Sequence, residues 1–239
     1  MSNTRSWEET APLFLATVGF LSPEEGEFLY RRAGACRGPG AVVEIGSWKG
    51  RSTVCLAAGA SEDVKIYAID PHSGSSEHKQ QMGLVNTLDE FKANIKKAGV
   101  DQKVIPLVKT SEQAAREWQG PIEFLFIDGA HEYELVKQDF ELWSPFLNEG
   151  GTIAFHDTVD WSGPKRLVRD EIFLKSHYAE VGVIGSITYA KKVKNCGPGQ
   201  MMKKRGKLFL KYIYDYGRTH TRSVPGWIRF LGKRFLSKV

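Results

Sequence analysis

Cysteine is scarce in this chain of 239 residues: Cys36, Cys55 and Cys196 are odd in number and far apart. That excludes a disulfide framework and a zinc site built from paired ligands, and it makes a reducing cytoplasm the simplest compartment. Long apolar runs are missing as well. The longest near the N-terminus, Ala11 to Leu21, is too short to cross a bilayer and follows Glu8 and Glu9 instead of a basic segment. The sequence therefore reads as having no signal peptide and no transmembrane helix. Acidic residues nearly vanish towards the end. Residues 191 to 239 hold 14 Lys and Arg against Asp215 alone, a charge of +13, whereas residues 1 to 190 hold 19 against 27, a charge of −8. An acidic body thus carries a basic tail.

What is present fits a soluble globular protein: 41% apolar and 26% charged residues, enough to bury a sizeable core. The length suits one large domain with appendages, here residues 1–190 followed by a basic extension, 191–239. Strand-sized apolar segments occur at Ala41 to Ile45, Lys65 to Ile69, Val104 to Val108, Ile122 to Ile127 and Thr152 to Phe155. Helical patterns alternate with them over Ser52 to Ala60, about 88 to 98, 111 to 118 and 132 to 147. Such alternation implies a mostly parallel sheet covered on both faces. A helix from about Lys165 to Ser176 and a closing hairpin, Tyr178 to Ile184 with Ser186 to Ala190, complete the body. Ser22 and Pro23 open an N-terminal helix running to Ala33, and Thr110 with Gln113 forms a capping box.

In an open α/β sheet, ligands sit beyond the carboxyl ends of the strands. Those junctions hold Gly46 to Gly50, Asp70, Thr110 with Ser111, Asp128, and His156 with Asp157. The first turn, Glu44-Ile45-Gly46-Ser47-Trp48-Lys49-Gly50, lacks the GxGxxG spacing of dinucleotide enzymes, and Trp48 stands where a pyrophosphate would approach the backbone. A ligand without a pyrophosphate tolerates that change. S-adenosylmethionine is such a ligand, and Asp70 at the end of its strand can clamp a ribose. At the fourth and fifth strand ends, Asp128 and Asp157 offer hard oxygen ligands to a divalent cation such as Mg²⁺. His131, three residues beyond Asp128, suits a general base near neutrality.

These residues resemble those of class I S-adenosylmethionine-dependent methyltransferases, in particular the group containing the macrolide sugar O-methyltransferases and cephalosporin hydroxylase, over roughly residues 20 to 190. The resemblance implies a Rossmann-like, doubly wound α/β sheet of seven strands with one antiparallel. It implies that Glu44, Gly46, Ser47 and Gly50 form the first cofactor motif, with Glu44 beside the methionine amino end. Asp70 then holds the ribose hydroxyls, Ser111 lies near the adenine, and Asp128 borders the cofactor and binds the metal. His131 becomes the base that deprotonates a hydroxyl of a small acceptor, a sugar by resemblance.

The pattern departs from those relatives at His156, where they carry a carboxylate. Imidazole favours Mn²⁺, Fe²⁺ or Zn²⁺ over Mg²⁺, so His156 reads as a metal ligand with Asp128 and Asp157, as a group orienting Asp157, or as a substrate contact. Rival readings are a hydroxylase-like iron enzyme on the same fold and a dinucleotide-dependent oxidoreductase; nucleic-acid binding has no recognition motif behind it. His72 and His78 fall in a loop and read equally as lid residues or solvated ones. The tail alternates basic and large apolar residues over Leu208 to Tyr214 and Trp227 to Leu236, as two amphipathic helices. Such helices lie on an anionic membrane surface, dock on their own domain, or join a second subunit in a homo-oligomer.

Overall fold

The structure, a computed structural model, describes residues 5–74 and 86–219. His78 and the stretch Trp227 to Leu236 lie outside the described residues. Two helices open the chain, α1 (Trp7–Ala16) and α2 (Pro23–Ala35), each started by a capping box, Ser6 with Glu9 and Ser22 with Glu25. There follow β1 (Ala41–Ile45), α3 (Arg51–Gly59), β2 (Ile66–Ile69), α4 (Leu88–Lys97), β3 (Val104–Leu107), α5 (Ser111–Glu117), β4 (Ile122–Ile127) and α6 (Tyr133–Trp143). Then come β5 (Leu147–Phe155), α7 (Ser162–Leu167), β6 (Tyr178–Ile184), β7 (Ile187–Lys192) and α8 (Pro198–Thr219).

Among the described residues the strands form one seven-stranded sheet of order β3-β2-β1-β4-β5-β7-β6. The first five are parallel and β7 runs antiparallel to both its neighbours. The expected fold is the observed one. Side chains alternate across the strands, so Val42, Ile66, Phe124 and Phe126 pack under α1 to α4, while Val43, Ile69, Leu125 and Phe155 pack under α5 to α7. Fully buried Phe91 on one face and Trp143 on the other each contribute roughly 2–3 kcal/mol of transfer free energy.

Three expectations are corrected, and one open reading, that of His72, is decided. The helix expected to run to 147 stops at Trp143, and Ser144 to Phe146 forms a 3₁₀ turn. Pro145 removes a backbone donor there. Strand β5 consequently begins at Leu147, five residues before the expected start, and passes an irregularity between Ile122 and Phe124 of β4. The helix expected over 165–176 begins at Ser162 and continues as a π-helical turn, Val168–Phe173. His72 is buried, not solvated, with its Nδ1 2.9 Å from the Thr87 hydroxyl. Helix α1 carries no periodicity strong enough to read from sequence, and Pro12 sits inside it.

Helix α8 packs on β6 in an arrangement that the tail's composition does not suggest. Two of its lysines, Lys204 and Lys211, point inward. Lys204 Nζ donates to the carbonyls of Lys175 and, at 2.7 Å, Tyr178. Lys211 Nζ donates to the Thr158 carbonyl at 2.7 Å and to both oxygens of Asp215 at 2.9 and 3.0 Å. Burial pulls the Lys211 ammonium down to about 8 despite the facing Asp215 carboxylate.

Candidate active site

The sheet ladder brings the strand ends into line. Gly46, Asp70, Asp128 and His156 each donate a backbone N–H to the last carbonyl of the adjoining strand: Ile69, Leu107, Ile45 and Ile127, at 2.8 to 3.2 Å. Four junction residues from four strands therefore stand side by side above one edge of the sheet. Gly46 adopts φ +86°, and a Cβ there would lie 2.2 Å from the Asp128 carbonyl oxygen. The turn after β1 and the turn after β4 touch through that glycine. Gly46→Ala is expected to cost about 1–3 kcal/mol through left-handed strain and displacement of the Asp128 turn. A melting curve checks it; an unchanged midpoint would show that the two turns are not in register contact.

Gly50 caps α3 in the left-handed conformation, and the Asp70 carboxylate braces the loop between Gly46 and Gly50. Asp70 Oδ2 accepts from the amides of Ser47 at 3.0 Å and Trp48 at 2.7 Å, and Oδ1 accepts from His72 N at 2.6 Å. Asp70 also borders a cavity of about 410 Å³ with Ser111, Asp128, Asp139 and Trp48. There the Ser111 hydroxyl accepts from Trp143 Nε1 at 2.8 Å. Burial pushes the Asp139 carboxyl up to about 6, with a hydrogen bond to Ser111 opposing it.

A second cavity of about 330 Å³ is lined by Ser47, Arg51, His131, His156, Asp157 and Trp161. Gly46, Trp48, Asp128 and Gly129 line both cavities, so the two chambers share a wall. Asp70 and Asp128 thus face a common cavity. In the second chamber His131 Nε2 lies 3.0 Å from Asp157 Oδ2, and its ring stacks on Trp161 with centroids 4.1 Å apart. Phe20 stacks on Trp48 at 5.1 Å.

Asp157 has φ +57°. A left-handed aspartate is strained by of order 1–3 kcal/mol, and here the strain turns its carboxylate between His131 and His156. His156 Nδ1 donates to Asp128 Oδ1 at 2.9 Å and lies 3.2 Å from Asp157 Oδ2. On its other side Nε2 lies 3.8 Å from Glu25 Oε1, too long for a hydrogen bond but close enough for charge attraction. Burial opposes charging His156, yet the negative charge of Asp128, the hydrogen bonds that His156 donates to Asp128 and Asp157, and the nearby Glu25 carboxylate outweigh it and raise its pKa well above the usual range. Reciprocally, burial disfavours the Glu25 carboxylate, but His156 and the amides of Ser186 and Ser22 hold it at about 2. Hydrogen bonds from His131 and His156 likewise overcome burial and keep Asp157 ionised. Burial raises Asp128, with His156 partly offsetting it.

Glu44 does not line either chamber. It is fully buried on β1, its Oε2 accepting from the Thr53 hydroxyl at 2.5 Å, while Oε1 has no hydrogen-bond partner. Burial pushes its carboxyl up to about 8, with Asp128 and Asp70 adding repulsion and the hydroxyls of Ser52 and Thr53 opposing.

Residues 43–158 match a family described as a methyltransferase domain. Over that segment, just under half of its length, the chain is similar to a methyltransferase domain. A protein of Acanthamoeba polyphaga mimivirus is 31% identical to this chain over 122 residues, 50% of this chain and 52% of that protein. Caffeoyl-CoA O-methyltransferase of Stellaria longipes is 28% identical over 157 residues, 62% of this chain and 59% of that one. The chain thus spans between half and two thirds of the length of these curated relatives. Among solved structures, the O-methyltransferase TomG from Streptomyces achromogenes, in complex with S-adenosylmethionine, matches with a TM-score of 0.57 at 16% identity, covering 80% of this chain and 92% of that one. At that identity the likeness is one of fold.

Two tests of fit can be made on the residues of the matched segment. Ser47 Oγ, a buried polar atom without a hydrogen-bond partner, belongs to the first turn and borders the second chamber, as expected beside a polar ligand that it would bind, whereas Glu44 Oε1, likewise without a partner, lies on β1 behind that turn. For a metal, one donor atom from each of Asp128, His156 and Asp157 lies within 4.8 Å of the others. Two carboxylates and one imidazole suit a divalent transition metal better than Mg²⁺. A cation at that point must displace the proton on His156, so its affinity rises with pH.

Several site residues escaped the sequence reading. Glu25 stood only as an acidic residue in the first turn of the helix that Ser22 and Pro23 open. Arg51 donates to the Gly19 carbonyl at 2.9 Å and lies over the Phe14 ring, and nothing in the local sequence marks it. Trp161 and Asp139 carried no positional signal.

Proposed function

We propose that this chain is an S-adenosylmethionine-dependent O-methyltransferase acting on the hydroxyl of a small molecule, a sugar first by resemblance, with a divalent cation at Asp128, His156 and Asp157. One observation carries the reading: Asp70 and Asp128 border one chamber while Asp128 also borders a second that holds the paired His131 and Asp157. A donor and an acceptor placed in adjoining chambers meet at the shared wall. When bound, S-adenosylmethionine supplies an electrophilic methyl group, and the cation acidifies a hydroxyl oxygen.

The rest is the work of this chain's own residues. Asp70 and Ser111 would hold the nucleoside end, and the turn from Gly46 through Ser47 to Gly50 the amino-acid end, with Glu44 buried on β1 behind it. Asp157 orients the His131 ring through Nε2, and the His131 imidazole takes the acceptor's proton. Trp161 and Trp48 exclude water from the acceptor oxygen and fix its approach, and that placement supplies much of the acceleration.

The test is a set of thermal-shift titrations with S-adenosylmethionine, S-adenosylhomocysteine, NAD and 2-oxoglutarate, each with and without Mn²⁺. The first two are expected to raise the melting temperature, by about 2.7 kcal/mol of stabilisation at a hundred times Kd. A shift with NAD alone would replace this reading by the oxidoreductase, and one with 2-oxoglutarate and metal by the iron hydroxylase.

A further inference from the structure

Helix α8 is amphipathic in an inverted sense. Each helical residue is rotated by about 100° from the last, so Lys204, Lys211 and Asp215 fall along one line and Met202, Phe209, Tyr212 and Tyr216 along the opposite side. The polar line is the buried one, 3%, 2% and 1% exposed. The apolar stripe faces outward, with Met202 73%, Phe209 66%, Tyr212 44% and Tyr216 56% exposed. A helix that served only to cover the sheet edge would do the reverse, since burying ammonium groups is far costlier than burying phenylalanine. The carbonyls of Lys175, Tyr178 and Thr158 and the Asp215 carboxylate compensate that burial and so keep the stripe turned out.

What the stripe meets is indicated by charge. Lys203 and Arg205 are exposed beside it. Beyond the described residues the sequence adds Arg222, Arg229, Lys233, Arg234 and Lys238, interleaved with Trp227, Phe230 and Phe235, and no acidic residue follows Asp215. Cations interleaved with aromatic and aliphatic side chains match a surface that offers negative headgroups above an apolar interior. Another protein surface would need a shaped apolar patch as well as acidic groups, whereas a lipid surface supplies both without shape complementarity. No described helix is long and apolar enough to span a membrane, so the contact would be peripheral.

We infer that α8 lies on an anionic lipid surface, with Met202, Phe209 and Tyr212 at the boundary between headgroups and acyl chains and with Lys203 and Arg205 among the lipid phosphates. The same helix supplies Tyr214 and Arg218, from its inward side, to a cavity of about 650 Å³ that reaches His156 and Asp157.

Sedimentation of the full chain with vesicles decides the matter, comparing phosphatidylglycerol–phosphatidylcholine mixtures with pure phosphatidylcholine. The anionic vesicles are expected to bind at least about tenfold more protein, and ~0.5 M NaCl to reverse most of it. The double variant Met202→Ser, Phe209→Ser is expected to bind about tenfold more weakly at an unchanged melting temperature, because both side chains are exposed. Arg205→Gln should weaken binding to the anionic vesicles as well. Equal sedimentation with neutral vesicles, no sedimentation, or wild-type binding by the double variant would each overturn the inference. So would light scattering that shows a dimer broken by the double variant, which would assign the stripe to a second copy.

Discussion

His131→Ala is expected to lower kcat for methyl transfer by about 10²- to 10⁴-fold, the usual contribution of a positioned base. The ring is fixed by the 3.0 Å contact with Asp157 and by stacking on Trp161, so its loss removes a proton acceptor and leaves the nucleotide chamber intact. S-adenosylmethionine and Mn²⁺ affinities, read by calorimetry, should therefore change little, and the acid limb of the pH–rate profile should disappear. Asp157→Asn gives the contrasting pattern: a loss of metal affinity together with activity, because the same carboxylate holds His131 and His156. If His131→Ala keeps full activity on an identified acceptor, the base lies elsewhere.

Glu44→Gln is expected to make the ligand-free protein more stable and the cofactor weaker to bind. A carboxyl with a folded pKa of about 8 and an ordinary value near 4.5 is protonated in both states below pH 4.5. Between pH 4.5 and 8 the unfolded chain releases the proton while the folded one keeps it, so stability falls as pH rises through that window. The cost at pH 8 is on the order of a few kcal/mol. Glutamine removes it. The variant should melt several degrees higher than the parent at pH 8 and at the same temperature near pH 4. Yet Oε1, the oxygen without a partner, is the atom suited to a cationic amino group, and its loss should weaken S-adenosylmethionine at least about tenfold. Differential scanning calorimetry across pH together with a cofactor titration reads both. Higher stability with unchanged affinity would leave Glu44 a bracing residue for Thr53.

Much of this site was legible because a parallel sheet obliges it. Apolar strands that end in Gly46, Asp70, Asp128 and His156 must present those ends along one edge, and the period-2 and period-3.6 patterns suffice to find the strands. The start of β5 was hidden because Asn148, Glu149, Gly150 and Gly151 break the apolar pattern between Leu147, which pairs with Ile122, and Thr152, where regular pairing resumes. The tail misled for a different reason. Sequence treats lysine as a solvent-facing residue, but an ammonium group can also be satisfied by carbonyls at the end of a packed strand, and only the fold shows where those carbonyls are. Glu25 belongs to the same class. Its capping role is local and readable, whereas its approach to His156 depends on how α2 meets the turn after β6.

That turn has a consequence for how the chain can be cut. Glu25 Oε1 accepts from the amide and hydroxyl of Ser186 at 2.6 and 2.8 Å and stands 3.8 Å from His156. The charge on His156 is thus balanced by a residue upstream of the matched segment 43–158 and anchored by one downstream of it. A fragment trimmed to that segment would retain the strand ends yet strand an imidazolium without its third counter-charge. A segment that keeps all three counter-charges and the Ser186 anchor extends from α2 through the final hairpin.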